Sequence, residues 1–474
     1  MEVPSYLKSI HEVLNTANVN VTSPAQAVSN TPVSNAPQGF HFDTVPLQMN
    51  SSSTVSNVSP TTSSKSLRFM LVSTHIQQFT GYSKVSDGII RQLAKVPNLD
   101  ITHFGFQKHP QVPQGFRSYP PSVDVIDAVA LENPPHQGFG YTHLVDSIRK
   151  KRPHIVMIYN DMAVITHFLE EIRKSGINRD FKLWVYCDQV YDCQLQVMID
   201  ILNRDADRVF AFTTYWKKQL KDQGVTRPIS ILGHGFDPKV FFPIPKDVAR
   251  KSLKLPEESF IIMSLNRNQP RKRLDILIKS FVELILKYPT KSILLLCICD
   301  KGEKGGWWLF EIFVREIKKR GGSVEQFGNR LMISSSDMVF KDEDINILYN
   351  IADIGISTAD GEGWGLCSFE QMGIGIPQIV PDIGGHKEYC NSENSIVVKP
   401  KYSYYLPGVY SPVGGEAHAC DPHDVCLAME EYINNTNKVK KHGLAAKQTV
   451  NAYTWENATK ELITRIEEER AELS

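Results

Sequence analysis

The chain has 474 residues, with Lys+Arg and Asp+Glu balanced at 52 each and a formal net charge of zero. That length accommodates two sizeable cores, and the balance excludes a global field drawing the protein to nucleic acid or an anionic membrane. Eight cysteines stand singly, without the paired spacing of a zinc site. Several fall in apolar runs where a buried free thiol is ordinary, so a reducing, cytoplasmic location is expected. No apolar run approaches the ~18 residues of a membrane span, and no signal-peptide core opens the chain.

In chain order, residues 1–66 come first as a tail. From about residue 16 it is dominated by Ser, Thr, Asn, Val, Pro and Gln, a composition that buries too little apolar area to offset ordering. Disorder is expected there, with one amphipathic stretch at Tyr6–Leu14. From Leu67 the pattern alternates. Leu67–Ser73, Ile155–Tyr159, Lys182–Cys187 and Arg208–Phe212 are short, nearly continuous apolar runs, as parallel strands buried on both faces read. Ser83–Val96, Met162–Ser175 and Tyr215–Gln223 read as intervening helices. A Pro- and aromatic-rich hinge follows at Gly233–Pro245.

The alternation then restarts. Ser259–Leu265, Ser292–Ile298, Arg330–Ser334, Asp353–Ser357 and Pro377–Val380 read as strands, and Arg273–Leu286 and Lys341–Ile351 as helices. Lys401–Ala419, rich in Tyr and Gly, reads as a mobile loop or an insertion. Two βαβ series predict an α/β protein with two doubly wound parallel-sheet domains facing a cleft. The expected bounds are 67–243 and 244–454, with an amphipathic helix over 455–474 packing back on the first domain.

The chemistry concentrates in Asp360-Gly-Glu362-Gly363-Trp364-Gly365-Leu366-Cys-Ser-Phe-Glu370. A Gly-rich turn between a strand and a helix beginning at Leu366 leaves backbone N–H groups at a positive helix end, which suits a phosphate. Glu362 lies on the turn and Glu370 inside the helix, roughly 12 Å apart if everything between were helical. A retaining glycoside hydrolase needs its carboxyls about 5–5.5 Å apart. The pair therefore reads as two clamps on one long ligand, and a nucleotide-sugar has that shape.

Asn266-Arg267-Asn-Gln-Pro-Arg271-Lys272-Arg273 places four cations where a strand ends and a helix begins. Positive charge there opposes the helix dipole, so a bound anion is the better reason for it. Arg267 and Lys272 are the expected diphosphate ligands, with Arg271 or Arg273 facing water. In the first domain, Gly81 follows the first strand, and Asp188 ends the Lys182 strand at the same rim, either as a helix cap or in the site. His234, between two glycines at the hinge, either bonds a ligand hydroxyl or satisfies backbone. Trp307-Trp308 reads as a core or interface anchor.

Together the E-x7-E pair with its Gly-Trp-Gly-Leu turn, the Arg267…Lys272 cluster and the Gly-His-Gly-Phe-Asp hinge resemble glycosyltransferase family 4, over about Leu67 to Leu473. The resemblance implies a GT-B fold of two Rossmann-like domains and a retaining, metal-independent transfer from a nucleoside-diphosphate sugar to an acceptor hydroxyl. The acceptor would be a glycan, a protein-linked glycan or a lipid, the last bringing peripheral membrane contact. No cofactor is implied, and the sequence leaves the oligomeric state open. By position Arg267 and Lys272 would hold the diphosphate. Gly363 and the amides of Trp364, Gly365 and Leu366 would cradle the sugar-side phosphate. Glu362 would contact sugar hydroxyls and Glu370 the ribose, while Gly81 would let substrate approach backbone. Two departures stand out: a single glycine in the first-domain loop, and Asp188 where many members have a His touching the donor sugar. An epimerase or phosphorylase on the same fold, or a degenerate glycan-binding relative, are the alternatives. No G-x-G-x-x-G follows the first strand, which argues against a nicotinamide dehydrogenase.

Overall fold

A computed structural model describes residues 66–133, 137–299, 305–334, 340–408 and 411–473. The expectations for residues 1–65, including Tyr6–Leu14, lie outside the described residues.

The first sheet is wholly parallel. Its strands are β1 (Leu67–Thr74), β2 (Leu99–Phe106), β3 (Val123–Asp127), β4 (Ile155–Asp161), β5 (Lys182–Asp188), β7 (Arg208–Ala211) and β8 (Ile229–Ile231). They stand in the order β3-β2-β1-β4-β5-β7-β8. The short β6 (Asp192–Gln194) leaves this sheet. The second sheet, also parallel, holds β9 (Phe260–Leu265), β10 (Ile293–Ile298), β11 (Leu331–Ile333), β12 (Ile354–Ile356), β13 (Gln378–Pro381) and β14 (Ser395–Val398). Its order is β11-β10-β9-β12-β13-β14. In both sheets the order reverses beside the first strand, and a ligand crevice forms at the carboxyl ends of such strands.

Apolar runs at β1, β4, β5, β9 and β10 form strands because both of their faces are covered. Helices α1 (Gly81–Leu93), α2 (Met162–Lys174) and α3 (Thr214–Asp222) belong to the first sheet. α4 (Leu274–Lys287) packs on the second, where Ile262, Leu277, Phe281, Leu295 and Cys297 share one core. The other core starts in the first sheet and runs without a break through Trp364, Phe369 and Leu348. The two halves are therefore joined by apolar packing at the cleft floor. α5 (Leu366–Ile374) carries the segment after the glycine turn, and α6 (Trp455–Glu472) closes the chain. Trp455 lies against Gly88 of α1 and Gly235 of the hinge, where an added Cβ would meet the indole at 2.3 and 2.5 Å.

One expectation is overturned here. Lys401–Ala419 is not a loose loop: β15 (Tyr402–Tyr405) and β16 (Gly414–Ala419) form an antiparallel hairpin. β16 then pairs with β6 of the first domain, Gly414 opposite Gln194 and Glu416 opposite Asp192.

Candidate active site

A cavity of about 460 Å³ opens between the two sheets. Of the residues expected in a site, Gly81, Asp188, His234, Arg267, Lys272, Glu362, Trp364, Gly365 and Leu366 line it. Gly363 and Glu370 are not among its lining residues.

The second-domain wall is built on two chain reversals. After β9 the chain makes a short 3-10 turn at Pro270–Lys272, then passes through Arg273 in the left-handed conformation (φ 47°) before α4 begins. That turn redirects the cations. Arg273 swings outward to Asp275, at 3.0 Å, and to the Tyr404 hydroxyl. Of the two cations either of which was expected to face water, Arg271 turns into the cleft, where it donates to the Gly361 carbonyl at 3.2 Å and lies 3.6 Å from Glu362. Lys272, only 7% exposed, is hydrogen-bonded to the Glu362 carboxylate. Arg267 forms no ion pair among the described residues. It reaches solvent, yet the surrounding cleft walls and the neighbouring Arg271 push its pKa down.

Burial alone would raise Glu362, but Lys272 and Arg271 outweigh it and hold the carboxyl at about 2. Lys272 is pushed down by burial and by Arg271, against the pull of Glu362. Two cations, Lys272 and Arg271, thus hold a single carboxylate, and Arg267 lines the same cavity. The surplus positive charge in a partly desolvated cleft calls for an anion.

The second reversal follows β12. Gly365 sits at φ 89°, a left-handed position that a side chain would strain, and no side chain caps α5 behind it. Its first N–H groups point from a positive helix end with no capping oxygen, the arrangement that receives phosphate. The turn is held from several sides. The Trp216 indole N–H, from α3, donates to the Gly363 carbonyl at 2.8 Å. Tyr191 bonds Asp360 at 3.2 Å, and the Tyr404 hydroxyl of the hairpin donates to the same carboxylate. The loop after β13 lies directly on the turn: Gly385 N–H donates to the Glu362 carbonyl at 2.9 Å. A Cβ on Gly385 would stand 2.2 Å from the Gly363 carbonyl oxygen, so only glycine lets the two backbones approach this closely.

The first-domain wall comes from the ends of β1 and β5. Gly81 is the first residue of α1 rather than part of a loop, with Thr80 as its N-cap, and Leu366 packs against it. Asp188 does not cap a helix. One carboxylate oxygen accepts from the Tyr82 hydroxyl at 2.7 Å, and the other has no partner. That free oxygen faces Gly363, where a Cβ would come within 2.0 Å of it. Burial raises the Asp188 pKa to about 6, against the Tyr82 hydrogen bond and Arg271. His234 is 2% exposed and lies 4.7 Å from the Trp364 ring, centroid to centroid, with both of its nitrogens unpartnered. Burial keeps it neutral, down to about 3.

Glu370 is the site residue whose surroundings differ most from expectation. It is 5% exposed, and its carboxylate is bonded to Lys84 Nζ of α1 at 2.8 and 3.0 Å and to the Tyr349 hydroxyl at 2.8 Å. Lys84 also lies 3.6 Å from Asp342, which takes a bidentate contact from Arg117 of the first domain. The sequence reading missed Lys84, Arg117 and Arg271. Of these only Arg271 carried a signal, its place in the cation cluster. No group of His, Cys, Asp and Glu suited to a metal ion occurs among the described residues.

Residues 245–404 match a family model described as Glycosyl transferases group 1. The match falls within the second domain. Among curated relatives, D-inositol 3-phosphate glycosyltransferase from Streptosporangium roseum is 24% identical over 182 residues. That stretch is 38% of this chain and 40% of the relative, so the match spans about two fifths of the relative's length. Among solved structures, sucrose-phosphate synthase from Thermosynechococcus elongatus superposes with a TM-score of 0.64 at 15% identity, covering 85% of this chain and 98% of that one. HepE from Anabaena, solved in complex with UDP and glucose, gives 0.60 at 14% identity, covering 85% and 100%. These likenesses establish the fold: two Rossmann-like domains facing a cleft, in the GT-B arrangement.

Proposed function

We propose that the protein is a retaining glycosyltransferase, moving a sugar from a nucleoside-diphosphate sugar to an acceptor hydroxyl. The observation that carries this reading is the excess of Arg267, Arg271 and Lys272 over Glu362, beside an uncapped helix N-terminus. Breaking the anomeric bond leaves negative charge on the departing diphosphate and positive charge on the sugar ring. Fixed cations and amides aimed at the leaving group stabilise that state without reorganising, and they take the part that a divalent ion plays elsewhere.

In this reading Glu362 and Asp188 receive hydroxyls of the transferred sugar, and Glu370 exchanges Lys84 for the ribose when donor binds. The acceptor attacks on the face the diphosphate leaves, and a departing phosphate oxygen takes its proton. Closure of the domains over the cavity excludes water and limits donor hydrolysis. No cofactor is invoked. The printed names of the relatives support sugar transfer, and the UDP and glucose held by HepE make uridine donors the first to try.

A thermal-shift panel of UDP, GDP, ADP and their sugars tests the proposal. A true ligand at 100 times its dissociation constant adds about 2.7 kcal/mol of stability. Absence of any shift across the panel would overturn the reading. Sugar transfer to glycan, protein and lipid acceptors, followed by product stereochemistry, then separates a retaining transferase from an epimerase, which needs no acceptor.

A further inference from the structure

We propose that His386 is a further donor-binding residue, which donates a hydrogen bond to the sugar-side phosphate of the nucleoside-diphosphate sugar. This rests on the transferase reading above and adds a residue that neither the E-x7-E pair nor the cation cluster contains.

Three observations carry it. The first is place. His386 follows Gly384-Gly385 at the carboxyl end of β13, and those glycines press the loop onto the backbone of Glu362 and Gly363. Its Nε2 lies 2.7 Å from where a Cβ on Gly365 would stand, so the imidazole edge borders the uncapped start of α5. The second is accessibility from one side only. The residue is 1% exposed, yet it lines the cavity between the domains.

The third is an unmet need. Neither ring nitrogen has a hydrogen-bond partner, and the Pro381 carbonyl lies near the ring without meeting hydrogen-bond geometry. Leaving a buried polar group unpaired is destabilising. A purely structural position would be filled as well by leucine and would avoid that cost. Burial holds the ring neutral, with a pKa down at about 4; Glu362 opposes the shift and Lys272 adds to it. A neutral imidazole carries one N–H donor and no charge of its own. Placed at a helix N-terminus that receives anions, that donor matches a phosphate oxygen. As the glycosidic bond breaks, charge grows on that oxygen and the hydrogen bond strengthens.

Isothermal titration with matched nucleotides gives the test. UDP carries the sugar-side phosphate and UMP does not; GDP with GMP or ADP with AMP replace them if wild type prefers those bases. His386→Leu is expected to weaken the diphosphate at least tenfold while leaving the monophosphate within twofold. His386→Gln, which restores a donor of similar reach, is expected to recover diphosphate affinity to within threefold. Equal weakening of both nucleotides by His386→Leu would mark a structural role and overturn the inference. Unchanged diphosphate binding would overturn it too, with the transferase reading left standing. Failure of the wild type to bind any nucleoside diphosphate would sink both.

Discussion

Lys84 of the first domain reaches across the cleft to Glu370 of the second, its Nζ 2.8 Å from Oε1, with side chains 19% and 6% exposed. Burial lowers Lys84 and raises Glu370; for Lys84 the Glu370 and Asp342 charges reverse the shift, while for Glu370 burial still prevails. Each group is tolerable because the other is present. Breaking such a pair from one side strands a desolvated charge, whereas removing both charges is close to neutral. Lys84→Met should therefore lower unfolding stability by about 3 kcal/mol, and adding Glu370→Gln should restore most of it. Urea titration of the four proteins in the cycle measures the coupling. Purely additive losses would show that the pair does not act as a unit.

Removal of Lys272 should strike catalysis. Its ammonium pairs with Glu362 in the unliganded cleft and, in the function proposed above, would face the leaving diphosphate. Losing one such preorganised group costs roughly 2.7–4 kcal/mol of transition-state stabilisation, on the order of 10²–10³ in rate. Lys272→Met is expected to lower kcat by that factor in a continuous assay of diphosphate release. A loss under about fivefold would remove Lys272 from the chemistry.

Asp188 should trade activity against stability. Its folded pKa, about 6, is above the ordinary carboxylate value near 3.9 because burial penalises the anion. The folded protein then binds a proton more readily than the unfolded chain does. This group's contribution is present in full below about pH 4 and is lost as pH rises through 6. At pH 7.5 Asp188→Asn should therefore raise Tm, by roughly 2 °C or more, while sugar transfer falls. Asparagine can still accept from Tyr82, so the gain should vanish at pH 4. A lower Tm at pH 7.5 would contradict the assignment.

A methyl group at Gly363 should pry the walls apart. It would meet Asp188 Oδ1 at 2.0 Å and the Gln189 carbonyl at 3.2 Å. Gly363→Ala is expected to cost about 1–3 kcal/mol and to raise KM for the donor. In an Asp188→Ala background the same substitution should cost less, since the nearer obstacle is gone. Chemical denaturation of the three variants decides it.

Local pattern revealed much of this molecule, and for a definable reason. The strands buried on both faces are short apolar runs, and the Gly-rich turn before Leu366 marked the start of the helix Leu366–Ile374, so both were visible as local pattern. What escaped depends on tertiary direction. The sequence left open whether Arg271 or Arg273 faces water, because the chain after Asn266 looked like a simple helix start. The 3-10 turn and the left-handed Arg273 rotate the cluster so that Arg271 points inward. Lys84 and Glu370 are 286 residues apart, and nothing near either names the other. His386 left a weak trace: a Gly-Gly pair just past β13, at the strand end where doubly wound sheets bind ligands.

The shared sheet of β6, β15 and β16 makes the two lobes less independent than a hinged jaw. Part of the first lobe is woven into the ribbon of the second, and His418 reinforces the seam with a contact to Asp192 at 3.1 Å. Any opening of the cleft would then swivel about that stitched edge or tear it. The Tyr-rich ribbon is accordingly a structural tether that sets how far the mouth can gape.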